Sequence, residues 1–426
     1  MAPVLTRNIR PGGPPTGLRE YEAAGGYVAL RQALTRHTPA ELVAMVSEAD
    51  LKGRGGAGFP MGQKWAGLPP FEQSERPRIY IANLDEMEPG TFKDRFLVEG
   101  DPHQLLEGLA ISAYACQAEL GYIFVRDEYV EPARVLSRAL AEAEQAGYVG
   151  RNILGTDFSF ELHIHMSAGR YICGEAMAIL NAMEGKRAIP RTKPPYEVQS
   201  GAWGKPTVVN NVETLCCVPH IVERGPAWFK ALGKAKDAGT KIYGVSGRVK
   251  RPGSFELPMG STLRELVEEH AGGMQEGYRF RAALPGGAST MFLDSSEMEV
   301  PLEFESLKEI GCYFGTGTVI VLDDHTCPVG LVHNLQRFYS RESCGWCTPC
   351  RDGLPWIEGI LAGLEEGRGE PGDLDLLREL CHHIHGNTFC ALALGAVVSI
   401  ESGLVKLRAE YEAHLGQSGC PWKDRH

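Results

Sequence analysis

RESCGWCTPC, residues 341–350, sets three cysteines at intervals of three: Cys344, Cys347 and Cys350. Scattered core thiols have no reason to recur so regularly, whereas C-x2-C-x2-C can wrap three corners of an iron–sulfur cubane. A [4Fe–4S] cluster needs a fourth cysteine. GNTFCALALGA, residues 386–396, offers Cys390 at the end of an intervening helical segment. Cys381 lies inside the apolar–polar pattern LLRELCHHI and reads as a packed helical thiol. A structural zinc site pairs two separate C-x2-C knuckles, which this chain does not carry. Cysteines 116, 173, 216, 217, 312, 327 and 420 read as small buried hydrophobes. From about Cys327 the pattern is helical to the end, with cysteines at its turns, so residues 327–426 are expected to form a helical cluster-binding domain.

The 426 residues predict several domains with ample apolar core. A net charge of −11, with both signs spread along the chain, argues against nucleic acid as a partner. No run of 18 apolar residues predicts a membrane span. MAPVLTRNIRPGGPP lacks the apolar core of a secretory signal and reads as a loose arm, so residues 1–37 are expected to be an arm and lead-in helix. Twelve cysteines in a chain this long are no disulfide scaffold. Their C-terminal clustering points to ligation in a reducing, cytoplasmic compartment.

Upstream, strands RIYIAN (78–83) and YIFV (122–125) alternate with helices. One helix opens with Thr38, Pro39 and Glu41 as a capping box, and another closes at Gly147. The alternation predicts an α/β sandwich over 38–240, interrupted by Gly-rich or polar turns at 53–58, 83–90, 167–174 and 204–211. Beyond Lys241, two strands joined by a Gly/Pro turn, a helix capped by Thr262 and Glu265, and strands near 279–284 and 318–322 predict a β-grasp-like module over 241–326.

The turns suggest what the cluster exchanges electrons with. GRGGAGF supplies Gly53, Gly55, Gly56 and Gly58, which let backbone approach a flat ring or a phosphate. NLDEMEPGTFKDR places Asn83, Asp85, Glu86 and Glu88 just after a strand, where α/β sheets bind ligands. GKPTVVNNVET brings Lys205, Asn210 and Asn211 to a helix start, whose free N–H groups suit a phosphate. Each loop alone has a plain reading as a turn; three together with a cluster favour a flavin mononucleotide (FMN) site.

GRGGAGF, the DEMEPGTFKDR stretch, YICGE, RTKPPY, SGAWGKPTVVNNVETL and ESCGWCTPCRDG, in that order over residues 19–410, resemble the NADH-binding flavoprotein subunits of respiratory complex I, the F subunits of bacterial NADH–quinone oxidoreductases. The resemblance implies an FMN-binding, Rossmann-like α/β sandwich, a β-grasp module of the soluble-ligand-binding (SLBB) type and a helical [4Fe–4S] domain. It implies an oxidoreductase in which NADH gives a hydride to FMN and single electrons pass to the cluster on Cys344, Cys347, Cys350 and Cys390, then to quinone through other subunits. It implies that Gly53, Arg54, Gly55, Gly56, Ala57, Gly58, Lys64, Asn83, Asp85, Glu86, Tyr171, Gly174, Asn210, Asn211 and Thr214 bind cofactor. Phe59, Glu88, Lys193 and Tyr196 are implied on the nicotinamide-nucleotide side, and Glu88 and Glu175 at the reaction itself, with Glu175 also holding FMN. The implied partners are a thioredoxin-like [2Fe–2S] subunit and the large iron–sulfur subunit of the peripheral arm, with attachment to the cell membrane only through them. Diaphorase subunits of NAD-reducing hydrogenases and formate dehydrogenases share these motifs.

The chain departs from the family pattern at Leu84, Asp127, Ser167, Ala176 and Met177. Ala176 stands where the family has a glutamate beside the adenine-side ribose, a carboxylate that bonds the 2′-hydroxyl and repels a 2′-phosphate. Its loss implies weaker NADH binding and partial acceptance of NADPH. The altered positions together leave open a structural paralogue with an impaired flavin site.

Overall fold

The computed structural model describes residues 2–422. The chain divides into two compact units. The first comprises residues up to 87, 92–242 and 256–260; the second comprises 88–91, 243–255 and everything from 261 onward.

A four-stranded, wholly parallel sheet forms the centre of the first unit: β1 (Ile79–Leu84), β2 (Leu120–Val125), β3 (Glu161–Met166) and β4 (Thr207–Asn211), in the order β3-β2-β1-β4. β1 and β4 are almost continuously buried, as strands covered on both faces must be. Helix Pro102–Cys116, apolar on most faces by sequence, is buried along nearly its whole length. The capping box at Thr38 forms as read, with the Glu41 N–H 3.3 Å from Thr38 Oγ1 and the Thr38 N–H 2.7 Å from Glu41 Oε2.

One reading needs correction. Residues 207–211, expected within a polar turn, are strand β4, hydrogen-bonded in register with β1 from Ile79↔Thr207 to Asn83↔Asn211. The apolar run is only Thr-Val-Val before two asparagines. Such brevity hides a buried strand whose polar end is kept for a site.

The strand order matters more than the strand count. From β1 the chain steps outward through β2 to β3, then returns to place β4 on the other side of β1. β1 and β4 therefore flank the switch point of the sheet, and the crevice beyond their carboxyl ends is where such sheets receive ligands.

The second unit carries most of a five-stranded sheet: β5 (Thr240–Ser246), β6 (Gly253–Pro258), β7 (Phe280–Leu284), β8 (Leu293–Asp294) and β9 (Thr318–Asp323), ordered β6-β5-β9-β7-β8. β5 and β9 are parallel, while β7 runs antiparallel to β8 and β9. The Thr262–Glu265 cap forms as read and opens a short π-helical turn, Glu265–His270. Helices Pro328–Glu342, Thr348–Glu365, Asp373–Ile384 and Ala391–Lys406 follow. Among the described residues no helix is long and apolar enough to cross a membrane.

Candidate functional sites at the sheet switch point and the cysteine turns

In the first unit, three sequence-distant segments meet at the carboxyl ends of β1 and β4. The glycine-rich loop is closed at its base by the Gly53 N–H bonding Phe59 O at 3.0 Å. It is tied to the start of helix Val212–Arg224 by the Arg54 N–H, 2.8 Å from Thr214 Oγ1. The Arg54 side chain is fully buried and donates to the carbonyls of Lys52, Ala238 and Thr240 at 2.9, 2.8 and 3.2 Å. It therefore anchors the loop from behind. Gly55 passes so close to Asn211 that a Cβ there would sit 3.1 Å from the Asn211 Cβ. Gly56 and Gly58 have φ of +122° and +67°, which side chains other than glycine adopt only with strain. The glycines thus let the loop pack against Asn211 and turn sharply, with Gly55, Ala57 and Phe59 on the exposed side.

Lys64, on helix Met61–Ala66, donates to Val209 O of β4 at 2.8 Å; burial pushes its ammonium below the usual range. Asn210 Oδ1 accepts from Tyr80 OH (2.7 Å) and Trp65 Nε1 (3.3 Å). Asn211 caps the following helix, its Oδ1 accepting from the Glu213 N–H at 3.0 Å, while its Nδ2 donates to Asp94 Oδ2 at 2.7 Å. Asn83 Oδ1 holds the Asp85 N–H at 2.8 Å.

Glu86 faces inward. Its two oxygens take the N–H groups of Asp94 (2.9 Å) and Arg95 (3.1 Å) at the start of helix Lys93–Gly100, and Tyr129 OH adds a third bond at 3.0 Å. Burial, with Asp94 nearby, raises its carboxyl to about 7. Beneath lies a buried charge network that motif reading missed. Lys93 lies 2.7 Å from Asp94 and 3.2 Å from Glu213, which is paired with Lys241 at 2.6 Å and accepts the Ile242 N–H at 2.7 Å. Burial drives Lys241 down to about 8, while Lys241 and Lys93 hold Glu213 below its ordinary range against its own burial. Spread along the sequence, these residues look like ordinary surface charges; only the fold brings them together.

The loop after β3 leads through the turn Tyr171–Gly174 to Glu175, the cap of helix Ala176–Met183. Glu175 Oε2 accepts the Ala178 N–H at 2.9 Å and Oε1 meets Lys193 Nζ at 3.0 Å. Burial disfavours the Lys193 charge, and the bond from Glu175 overcomes it, holding the ammonium above its usual range. Tyr171 is half-buried, Gly174 is exposed, and the rings of Phe59 and Tyr196 are each 52 % exposed. Ala176 is half-buried at the helix start, and Met177 packs in the core. Ser167 has a job: its hydroxyl donates to Asp85 Oδ2 at 3.1 Å and accepts the Gly169 N–H at 3.0 Å. Leu84 is fully buried and Asp127 is exposed. Glu88 belongs to the second unit, where its Oε1 accepts the Ser289 N–H at 2.6 Å.

Also in the second unit, Cys344 and Cys347 sit between helices Pro328–Glu342 and Thr348–Glu365. Cys347 is the cap of the latter and Cys350 lies in its first turn, while Cys390 caps Ala391–Lys406. Two long helices thus point their positive ends at the thiol group, favourable for thiolates and for an anionic cluster. Burial raises the Cys350 thiol to about 12, with Cys347, Cys390 and Cys344 adding to the rise as electrostatic neighbours. Four thiols gathered at the starts of two helices are a donor set that suits a cluster. Cys381 is fully buried in its helix.

The chain is 52 % identical to the F subunit of NADH-quinone oxidoreductase from Escherichia coli K12, over 99 % of its own length and 94 % of that protein's. It belongs to the family of NADH-quinone oxidoreductase F subunits. The F 2 subunit of Rhizobium meliloti 1021, another member, is 51 % identical and matches 99 % of both chains. Three family profiles match in sequence: a Nuo51 FMN-binding domain over 46–220, an SLBB domain over 242–293, and an NADH-ubiquinone oxidoreductase-F iron-sulfur binding region over 330–414. Among solved structures, an NAD+-reducing [NiFe]-hydrogenase in its H2-reduced state superposes with a TM-score of 0.84 at 34 % identity, covering 97 % of this chain and 67 % of that one. The fold of these F subunits is thus shared with an NAD+-reducing hydrogenase, as the motifs implied.

Proposed function

We propose that this chain is the electron-input subunit of an NADH–quinone oxidoreductase, an enzyme component that binds FMN and a [4Fe–4S] cluster and oxidises NADH. The observation that carries the reading is the pairing, in one chain of this family, of a glycine loop pinned at the switch point of a parallel sheet with four cysteines, three of them at helix starts. When bound, FMN would supply the two-electron chemistry, taking both electrons together as one hydride and giving them up singly, and the cluster would carry them one at a time.

The protein's own groups do the rest. Gly53, Gly55, Gly56, Ala57 and Gly58 give the ring a close backbone wall. Lys64, Asn83, Asp85, Asn210, Asn211 and the hydroxyl of Thr214 fix its polar edge and phosphate at the helix start. Arg54, whose two terminal guanidinium nitrogens bond backbone carbonyls, and Glu86, whose two oxygens take backbone N–H groups, hold the loops in place. Phe59 and Tyr196 offer exposed rings for the nucleotide bases. The Glu175–Lys193 pair orients a phosphate or ribose, with Tyr171 and Gly174 shaping the turn beside it. The family resemblance assigns Glu88, whose carboxylate accepts the Ser289 N–H, to the nicotinamide, and Cys344, Cys347, Cys350 and Cys390 ligate the cluster. With Ala176 lacking a carboxylate, the 2′-hydroxyl of NADH loses an acceptor and the 2′-phosphate of NADPH loses a repulsion. We read the chain as working on the cytoplasmic side, held at the membrane by a thioredoxin-like [2Fe–2S] subunit and a large iron–sulfur subunit.

The test is FMN content and ferricyanide reduction by NADH and by NADPH, on protein purified anaerobically with its thioredoxin-like partner. One FMN per chain with NADH turnover supports the reading. A chain holding iron but neither FMN nor turnover would make it a structural paralogue. Co-purification with a hydrogenase or formate dehydrogenase catalytic subunit would make it their diaphorase.

A further inference from the structure

Away from the four cluster cysteines, another set of metal-binding atoms converges in the second unit. Cys327, Glu365, His414 and Cys420 each offer one ligand atom, and all four atoms lie within 4.8 Å of one another. Cys327 Sγ is 3.1 Å from Glu365 Oε1 and 3.4 Å from His414 Nε2, and Nε2 is 3.0 Å from Oε1. The Cys420 thiol interacts with both Cys327 and Glu365. A tetrahedral zinc ion, with bonds of about 2.3 Å to sulfur and 2.0–2.2 Å to nitrogen or oxygen, spaces neighbouring ligand atoms by roughly 3.3–3.8 Å. The three spacings among Cys327, Glu365 and His414 need to open by only a few tenths of an ångström.

The surroundings are arranged around the ligand atoms as well. His414 Nδ1 lies 2.8 Å from the carbonyl of Glu410; donation there fixes the tautomer that leaves the Nε2 lone pair aimed at the two thiols and the carboxylate, the outer bond usual for metal-bound histidine. Cys327 caps helix Pro328–Glu342, and the Gly330 N–H donates to its Sγ at 3.2 Å, a contact that favours thiolate. His414 is fully buried and Cys327 is 4 % exposed. Trp422 stacks on the imidazole with centroids 5.5 Å apart, closing the outer side.

We propose that Cys327, Glu365, His414 and Cys420 bind a structural zinc ion that fastens the C-terminal segment to the starts and ends of the cluster-domain helices. Four protein ligands leave no open position, so the ion is structural rather than catalytic. The spacing carries none of the paired C-x2-C knuckles by which zinc sites are usually recognised, and for that reason the sequence reads Cys327 and Cys420 as buried hydrophobes.

The experiment is elemental analysis and zinc K-edge X-ray absorption on the full chain, purified anaerobically with its cluster, alongside Cys420→Ser and His414→Ala. Expected is about one zinc per chain beyond the cluster iron, with a shell of roughly two sulfur and two nitrogen or oxygen neighbours, falling at least tenfold in both variants while iron and FMN stay unchanged. An all-sulfur shell would put the zinc in the cluster cysteines and overturn the proposal. So would zinc-free protein, zinc undiminished in folded variants, or a Cys327–Cys420 disulfide seen as a mass loss of about 2 Da. If neither variant folds, the wild-type stoichiometry and shell decide alone.

Discussion

The switch-point loops and the cysteine turns solve the problem of holding a cofactor in opposite ways. At the switch point the protein supplies its own scaffolding. Arg54, Glu86, Asn211, Asp94 and Glu213 satisfy one another and the loop backbones, so the cradle has its shape before anything sits in it. At the cysteine turns three of the four ligands stand nearer to solvent. Cys344, Cys347 and Cys390 are only half-buried, flanked by Trp346 and Phe389 with rings 53 % and 44 % exposed. There the cluster itself has to serve as the core. A preorganised site should survive the loss of its cofactor; a site completed by its cofactor should not.

The sharpest way to break this contrast is Cys347→Ser or Cys390→Ser. Either should abolish the cluster, taking iron from about four per chain to near zero and lowering the melting temperature, while FMN stays bound. FMN lost along with iron would mean that the two sites are not built independently.

Next in size is Glu213→Gln. It leaves Lys241 buried without its carboxylate and Lys93 with Asp94 alone, and removing one member of a buried ion set costs about 3–5 kcal/mol. Urea unfolding should record that loss, with FMN retained in the fraction that folds. A change under about 1 kcal/mol would show that the network contributes little net stability.

Ala176→Glu acts on specificity. The added carboxylate should tighten NADH by about 1.5–3 kcal/mol if it meets the 2′-hydroxyl as a charged acceptor, read as a lower NADH Michaelis constant and a suppressed NADPH rate. Unchanged ratios would remove Ala176 from the nucleotide site.

The smallest effect concerns pH. Glu86 has a folded-state value near 7 against an ordinary 4.5, so the folded protein holds the extra proton between those values. Its contribution to stability is complete below about 4.5 and fades as pH rises towards 7. Glu86→Gln should flatten that part of the stability–pH curve; an unaltered slope would mean that another group produces it.

Much of this was legible in the residues because the chemistry of turns is local. Glycines at 53–58, the Thr38 box, the C-x2-C-x2-C spacing and the asparagine pair each announce themselves within a few positions. β4 did not, since two valines after a threonine are too few to set a period. The network of Lys93, Asp94, Glu213 and Lys241 did not either, because a buried ion set has no sequence signature until a fold removes the water around it. Ser167 read as a departure from the family pattern, yet its hydroxyl bridges the ends of β1 and β3, a role visible only once Asp85 is known to face it.

The connection of the glycine loop to β4 also sets a schedule. Arg54 finds Thr214 across 160 residues, and Lys64 finds Val209 across 145. Such contacts raise contact order and are made late in folding. On the ribosome, a nascent chain that has emerged only to β3 has the loop but nothing to pin it, so flavin loading must wait until residue 214 has left the exit tunnel. Cofactor insertion thereby reports that the α/β unit is complete, and a chain truncated before β4 should emerge colourless, however well its first strands have paired.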